Sequence, residues 1–225
     1  MSSSAPASGL PAGLQNQARA LCRTMAAIHR RGWCEGTGGN FSVVIQHPPE
    51  LQLLMAPSGV DKGAVKPSAL ILVDDNGRVI QGMGKVSAEM ELHRAIVQCT
   101  GAGAVLHTHS QAATLLSLAA NPNGSIAHLV IEGLEMLKGL EGIQTHECQV
   151  QIPVLANDQN LQRLSDRARP HLQEAPHGLL IAGHGLYAWG ADLQQAMRHL
   201  EILEFLLEQH WRQRLWSALV NQKTP

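Results

Sequence analysis

From Leu14 to His29 the apolar residues Leu14, Ala18, Leu21, Cys22, Met25 and Ile28 return every three or four positions, the period of a helix with one buried face. The pattern breaks at "GWCEGTGGNFSVV", where four glycines within eight residues cannot sustain a helix and "FSVVI" favours a strand. "LQLLMAPSG" and "ALILVDDNGRVIQG" continue as strands, with "DDNG" supplying turn chemistry between two apolar runs. Ser87 is placed to cap a helix running through Cys99. "GAGAVLHTH" then reads as a strand that stops where Ser110 starts the helix "SQAATLLSLAA". "QVQIPVL" and "GLLIAGHGLYAWG" are further strands, separated by the helical "NLQRLSDRARPHL". Asp192 can cap a long last helix on which Leu193, Ala196, Met197, Leu200, Leu203, Leu207 and Trp211 make one stripe. Helical and strand periods alternate throughout, without a repeat unit and without the GxGxxG of a dinucleotide fold. The pattern predicts one α/β domain over residues 14–225, preceded by a mobile Ser/Ala/Pro/Gly-rich arm over 1–13.

A chain of 225 residues buries enough apolar surface to fold without a structural metal or disulfides. A metal here would therefore serve chemistry. Seventeen basic against eighteen acidic side chains, with no basic block, recruit neither nucleic acid nor an anionic membrane by long-range attraction. The four cysteines lack CxxC spacing, and the amino-terminal stretch lacks the basic and apolar blocks of a signal peptide. The expectation is a reduced, cytoplasmic protein. The longest apolar run is interrupted by His184 and is short of the roughly 20 residues needed to cross a bilayer.

In a strand, side chains two positions apart share a face, so His107 and His109 stand side by side while Thr108 faces away. That geometry suits two ligands of one ion, although histidine pairs also sit on half-buried strands as plain packing. His184 stands isolated between Gly183 and Gly185, which let the backbone bend and leave the ring uncovered. Three imidazoles leave a tetrahedral zinc ion one open position, the arrangement of a catalytic site; the competing reading of His184 is a ring satisfied by backbone in a turn. The remaining histidines sit beside charges or in polar, turn-like contexts, and nothing in their spacing selects one.

The loop "GTGGN", Gly36 to Asn40, can offer backbone N–H groups to an anion or be an ordinary turn, since it lacks the lysine of a P-loop. "APSGVDKG" offers the Ser58 hydroxyl and the Gly59 amide, and "KVSAE" offers Ser87 with a helix start behind it. Hydroxyls, amides and a helix dipole are what a phosphate monoester needs where no basic patch exists. Two carboxylates are acid–base candidates: Glu89 in the first turn after Ser87, and Glu135 in "IEGLEMLKGLEG". The usual explanation of Glu89 is dipole compensation and Glu135 lies in an amphipathic stretch of solvated glutamates, so by themselves such residues are more often structural than catalytic.

Taken in order, "GTGGNFS", "PSG", "SAE", "HTHS" and "GHGL" resemble the class II aldolase/adducin family over roughly residues 14–216. The resemblance implies an α/β/α fold around a mainly antiparallel sheet, assembled as a homotetramer with sites near subunit interfaces. It implies one Zn²⁺ per subunit on His107, His109 and His184, and a substrate phosphate bound by Gly38, Gly39, Asn40, Ser58, Gly59 and Ser87. "GLEMLKGL" with "LYAWG" looks like the branch of the family that removes water from a methylthio-substituted ketose 1-phosphate in methionine salvage. That branch implies a metal-stabilised enediolate and Glu135 as the acid–base residue, whereas the sugar-phosphate aldolases use the glutamate matching Glu89. A ketose-1-phosphate aldolase, a pentose-phosphate epimerase and a non-catalytic adducin-like module are the alternatives.

Overall fold

The computed structural model describes residues 10–120, 123 and 126–221. Residues 1–9, most of the expected mobile arm, lie outside the described residues. Leu10 packs on the core, and a 3-10 turn over Ala12–Leu14 leads into the first helix.

Five α-helices, α1 (Gln15–Arg30), α2 (Met90–Thr100), α3 (Gln111–Ala120), α4 (Leu161–Ala168) and α5 (Leu193–Asn221), flank a single sheet. Its strands are β1 (Asn40–Gln46), β2 (Gln52–Met55), β3 (Ile71–Asp74), β4 (Val79–Gln81), β5 (Ala104–Thr108), β6 (Ala127–Glu132), β7 (Gln149–Leu155), β8 (Gly178–Ile181) and β9 (Gly185–Gly190). They lie in the order β4-β3-β2-β1-β5-β9-β8-β7-β6. Every neighbouring pair is antiparallel except β7 with β8, which the α4 crossover joins in parallel. This is the expected mainly antiparallel α/β/α arrangement.

Alternation along the central strands builds two cores. Leu106, Leu180 and Leu186 face α1, α3 and α5, meeting Leu21, Met25, Leu116, Leu200 and Leu203. Val105, Leu179, Tyr187 and Trp189 face α2 and α4, meeting Leu92, Ile96 and Leu164. Each such side chain, fully buried, contributes about 1.5–3 kcal/mol of transfer free energy before the entropy of ordering is subtracted.

Local chemistry sets the helix starts. Ser110 Oγ accepts from the Ala113 amide at 3.1 Å and Asp192 Oδ1 from the Gln195 amide at 2.8 Å, as their positions before α3 and α5 predict. Three expectations need correction. The helix expected at Ser87 begins at Met90, because residues 88 and 89 form a turn closed by the Met90 amide on the Ser87 carbonyl at 3.1 Å. "GLLIAGHGLYAWG" is two strands and not one: Gly183, at φ +65°, reverses the chain so that β8 and β9 pair antiparallel. The stretch around "IEGLEMLKG", to which no strand was assigned from sequence, holds the end of β6 at Glu132, followed by a 3-10 helix over Glu135–Gly139.

Candidate metal centre

β5 ends in the middle of the sheet, between β1 and β9. His107 points to the α2/α4 side, where Tyr187, its register partner on β9, stacks on it with ring centroids 3.9 Å apart. Thr108 points the other way and its hydroxyl donates to Glu204 of α5 at 2.5 Å. His109 follows, its amide donating to the Trp33 carbonyl at 2.7 Å. The two rings share one face as the alternation predicts, with their Nε2 atoms 2.8 Å apart.

The turn between β8 and β9 delivers the third ring. The Gly183 amide donates to Ser117 Oγ at 3.1 Å, and Thr114 Oγ1 donates to the His184 carbonyl at 3.1 Å. A Cβ on Gly185 would collide with the Thr108 carbonyl, so only glycine lets this turn lie against the end of β5. His184 Nε2 arrives 3.3 Å from His107 Nε2. The glycine loop approaches from the opposite side under the same constraint. A Cβ on Gly38 would lie 2.9 Å from His109 Nδ1, and one on Gly39, at φ +78°, would lie 2.9 Å from the His107 carbonyl.

Glu89 completes the cluster. Its Oε1 is 3.1 Å from His184 Nε2 and 3.5 Å from His107 Nε2, while Oε2 accepts from Asn40 Nδ2 at 3.3 Å. Burial pushes its carboxyl up, but the charge and hydrogen bonds of His107 and His184 outweigh this and hold it well below the usual carboxylate range. Burial first, then the neighbouring rings, lower His109 to about 3, so its ring is neutral and able to donate a lone pair.

One donor atom each from Glu89, His107, His109 and His184 lies within 4.8 Å of the others. His107 Nδ1 hydrogen-bonds the Leu186 carbonyl at 3.0 Å, which puts the N–H there and turns the Nε2 lone pair toward the other rings. Three imidazole nitrogens and a carboxylate oxygen converging in this way can hold a divalent metal ion, whose charge satisfies lone pairs that otherwise oppose one another. Behind the cluster the buried His93 hydrogen-bonds Ser42 Oγ through Nδ1 at 2.7 Å and meets Tyr187 edge to face.

A cleft of about 690 Å³ opens over the cluster, and Gly38, Gly39, Asn40, Ser58, Gly59 and Ser87 all line it. The Gly38 amide is turned inward to the Glu35 carbonyl at 3.0 Å and the Ser58 amide to the Lys85 carbonyl at 2.8 Å. Gly38 thus closes an ordinary turn, and Ser58 presents its hydroxyl and not its amide. Sequence reasoning missed Lys62, Lys85 and the loop Asn157–Gln159 in the same wall. Lys62 is buried, with Nζ donating to the Thr37 and Val60 carbonyls at 3.0 and 3.1 Å, and burial lowers its pKa. A basic residue four positions beyond Ser58 was the available signal. A larger cavity of about 940 Å³ along α5 holds none of the cluster residues, so donor chemistry and not volume locates the site. Glu135 is not among the residues lining the cleft: on its 3-10 helix the side chain is 70% exposed and pairs with Lys138 at 2.6 Å and His146 at 3.5 Å.

The Class II Aldolase and Adducin N-terminal domain family matches residues 19–211. The methylthioribulose-1-phosphate dehydratase of Serratia proteamaculans is 40% identical over 205 residues, covering 90% of this chain and 97% of its own. That of Granulibacter bethesdensis is 43% identical over 180 residues, covering 79% and 82%. Among solved structures, L-fuculose-1-phosphate aldolase from Thermus thermophilus superposes with a TM-score of 0.69 at 26% identity, covering 91% of this chain and 98% of that one. A sugar-phosphate aldolase from Thermotoga maritima shares the fold, with a TM-score of 0.65 at 17% identity, covering 95% and 99%. The ordered motifs, the His/Glu cluster they build and these likenesses agree: the chain belongs to the class II aldolase and adducin family.

Proposed function

We propose that the protein is a zinc-dependent hydro-lyase, a methylthioribulose-1-phosphate dehydratase, that converts 5-methylthioribulose 1-phosphate into 2,3-diketo-5-methylthiopentyl 1-phosphate and water, as a cytoplasmic homotetramer acting in methionine salvage. The observation that carries this reading is the His/Glu cluster at the base of a cleft walled by hydroxyl, glycine and lysine side chains. The identity to the two dehydratases, spread over most of the chain, favours water loss over carbon–carbon cleavage.

His107, His109 and His184 would hold the ion, which would supply a Lewis acid that makes the C–H beside a ketone more acidic. The hydroxyls of Ser58 and Ser87, the Gly59 amide and the charges of Lys62 and Lys85 anchor the phosphate, with Gly38, Gly39 and Asn40 shaping the wall opposite. Asn40 holds Glu89 against the rings. The proton beside the ketone passes to a carboxylate, and the hydroxyl one carbon further leaves with a proton from an acid, so water is lost and no carbon–carbon bond breaks. Glu135 is the acid–base group in this reading. Since it stands outside the cleft of its own chain, this reading requires subunit assembly to complete the site.

A second reading, a ketose-1-phosphate aldolase with Glu89 as its acid–base group, is favoured by the placement of Glu89 directly on the histidines. Incubation with methylthioribulose 1-phosphate and with fuculose 1-phosphate separates the two. The expected result is the diketo product from the first and no aldehyde from the second, with activity removed by a chelator and restored by Zn²⁺. Glu135→Gln should lower kcat by roughly 100-fold or more with metal retained. Full turnover in that variant would remove Glu135 from the mechanism, and aldehyde release would replace the dehydratase with the aldolase.

A further inference from the structure

On the far side of the sheet's central strands, three more ligand-type side chains converge. Glu141 follows the 3-10 helix Glu135–Gly139, His177 directly precedes β8, and His199 lies on α5. One donor atom of each lies within 4.8 Å of the others. His177 Nε2 is 3.8 Å from Glu141 Oε2, and the rings of His177 and His199 stack with centroids 4.2 Å apart. Donors on one tetrahedral zinc ion stand about 3.4 Å apart; the His177–Glu141 pair is within a few tenths of an ångström of that spacing, and the stacked rings of His177 and His199 must turn to bring both lone pairs onto one ion.

Each residue is fixed as a ligand would be. His199 is buried, and its Nδ1 hydrogen-bonds the Trp189 carbonyl at 2.7 Å, which leaves Nε2 as the lone-pair nitrogen, the hydrogen-bond pattern of metal-bound histidines. Glu141 is steadied by the Gln195 side-chain amide at 2.8 Å. His177 holds a left-handed backbone, φ +55°, clamped by its amide on the Ala175 carbonyl at 2.7 Å and by the Trp189 amide on its own carbonyl at 3.1 Å. Such a conformation costs a non-glycine residue on the order of 1 kcal/mol, and here it sets the ring against His199 with Nε2 near Glu141. The adjoining cleft of about 560 Å³, lined by Glu141, His177 and Gln195, gives access from solvent. Burial lowers the pKa of both histidines, which keeps them neutral and competent to bind.

We infer that Glu141, His177 and His199 form a second site for a divalent transition-metal ion, separate from the His107/His109/His184 cluster. Two imidazoles and one carboxylate select a borderline ion such as Zn²⁺ over Mg²⁺ or Ca²⁺. An ion there cross-links α5 to the segment that follows the 3-10 helix and to the start of β8. The test is equilibrium dialysis of the full-length protein against Zn²⁺ alone, with metal counted per chain by elemental analysis. Wild type should hold about two ions. His177→Asn, which keeps the left-handed backbone because asparagine tolerates it, should hold about one, and His109→Ala should also retain one. A wild type holding a single ion, or a His177→Asn/Glu141→Gln protein that keeps both, overturns the inference. Since the count is made without substrate, the outcome does not depend on which reaction the first site performs.

Discussion

Glu204 braces the segment that carries His109 from behind. It is 2% exposed on α5 and accepts hydrogen bonds from Thr108 and Ser110, the residues on either side of His109. Burial raises its carboxyl to about 7 against those hydrogen bonds. The folded protein therefore binds this proton more tightly than the unfolded chain does. Its contribution is fully present below the ordinary carboxylate value of 4.5 and is lost as pH rises through 7, at most about 3 kcal/mol. Glu204→Gln, which cannot ionise, should gain on wild type by several degrees in Tm between pH 5 and pH 8. An offset that is the same at both pH values would show that Glu204 does not titrate there. The histidine cluster was legible in part: strand alternation put His107 and His109 on one face, while His184 joined them only through the family resemblance. Glu204 and His93 were not legible, since Thr108 lies 96 residues from Glu204 and Ser42 lies 51 from His93, and no short-range spacing encodes such pairs.

Among elements, the two glycine loops separate conformational cost from steric cost. Gly39 and Gly59 both have positive φ, near +78° and +77°. A Cβ at Gly59 meets nothing within 4 Å, whereas one at Gly39 meets the His107 carbonyl at 2.9 Å and Cys34 and Phe41 at 3.0 Å. Gly59→Ala should cost only the left-handed backbone, about 1 kcal/mol. Gly39→Ala should cost about 3 kcal/mol or more and weaken metal retention, because the strand carrying His107 must move. Thermal denaturation and metal content of the two variants check this, and equal losses would refute it. Helices were read closely because their stripes and caps are explicit. "GLLIAGHGLYAWG" misled because β8 and β9 are buried on both faces, so the apolar run carries no alternation to mark the reversal at Gly183. β6 was missed for the converse reason: it is an edge strand whose outward positions include the exposed Val130, which blurs the two-residue period.

At the scale of the whole molecule, the α/β class followed from the alternation of helical and strand periods and the α/β/α layering from the family resemblance, but strand order followed from neither. The centre of the sheet, β1-β5-β9, joins segments from the beginning, middle and end of the chain. The cleft wall then gains Asn157–Gln159 from the loop after β7, where the chain passes through α4 to the parallel β8. Glu135 stands outside that wall, and no pattern within one chain tells where a second copy would place it. The pairing of β5 with β9, seen in the bond between His107 and Leu186 across 79 positions, also sets an order in time. Contacts so distant in sequence close slowly, because the intervening chain must first surrender its freedom. The cluster around His107 is therefore expected to lack its third nitrogen until the β8–β9 hairpin docks. Stopped-flow refolding in the presence of Zn²⁺ should therefore show far-ultraviolet ellipticity recovering before metal uptake, with simultaneous recovery contradicting it. On that order of events an ion would report completion, since only a chain whose last third has found its place would hold it firmly.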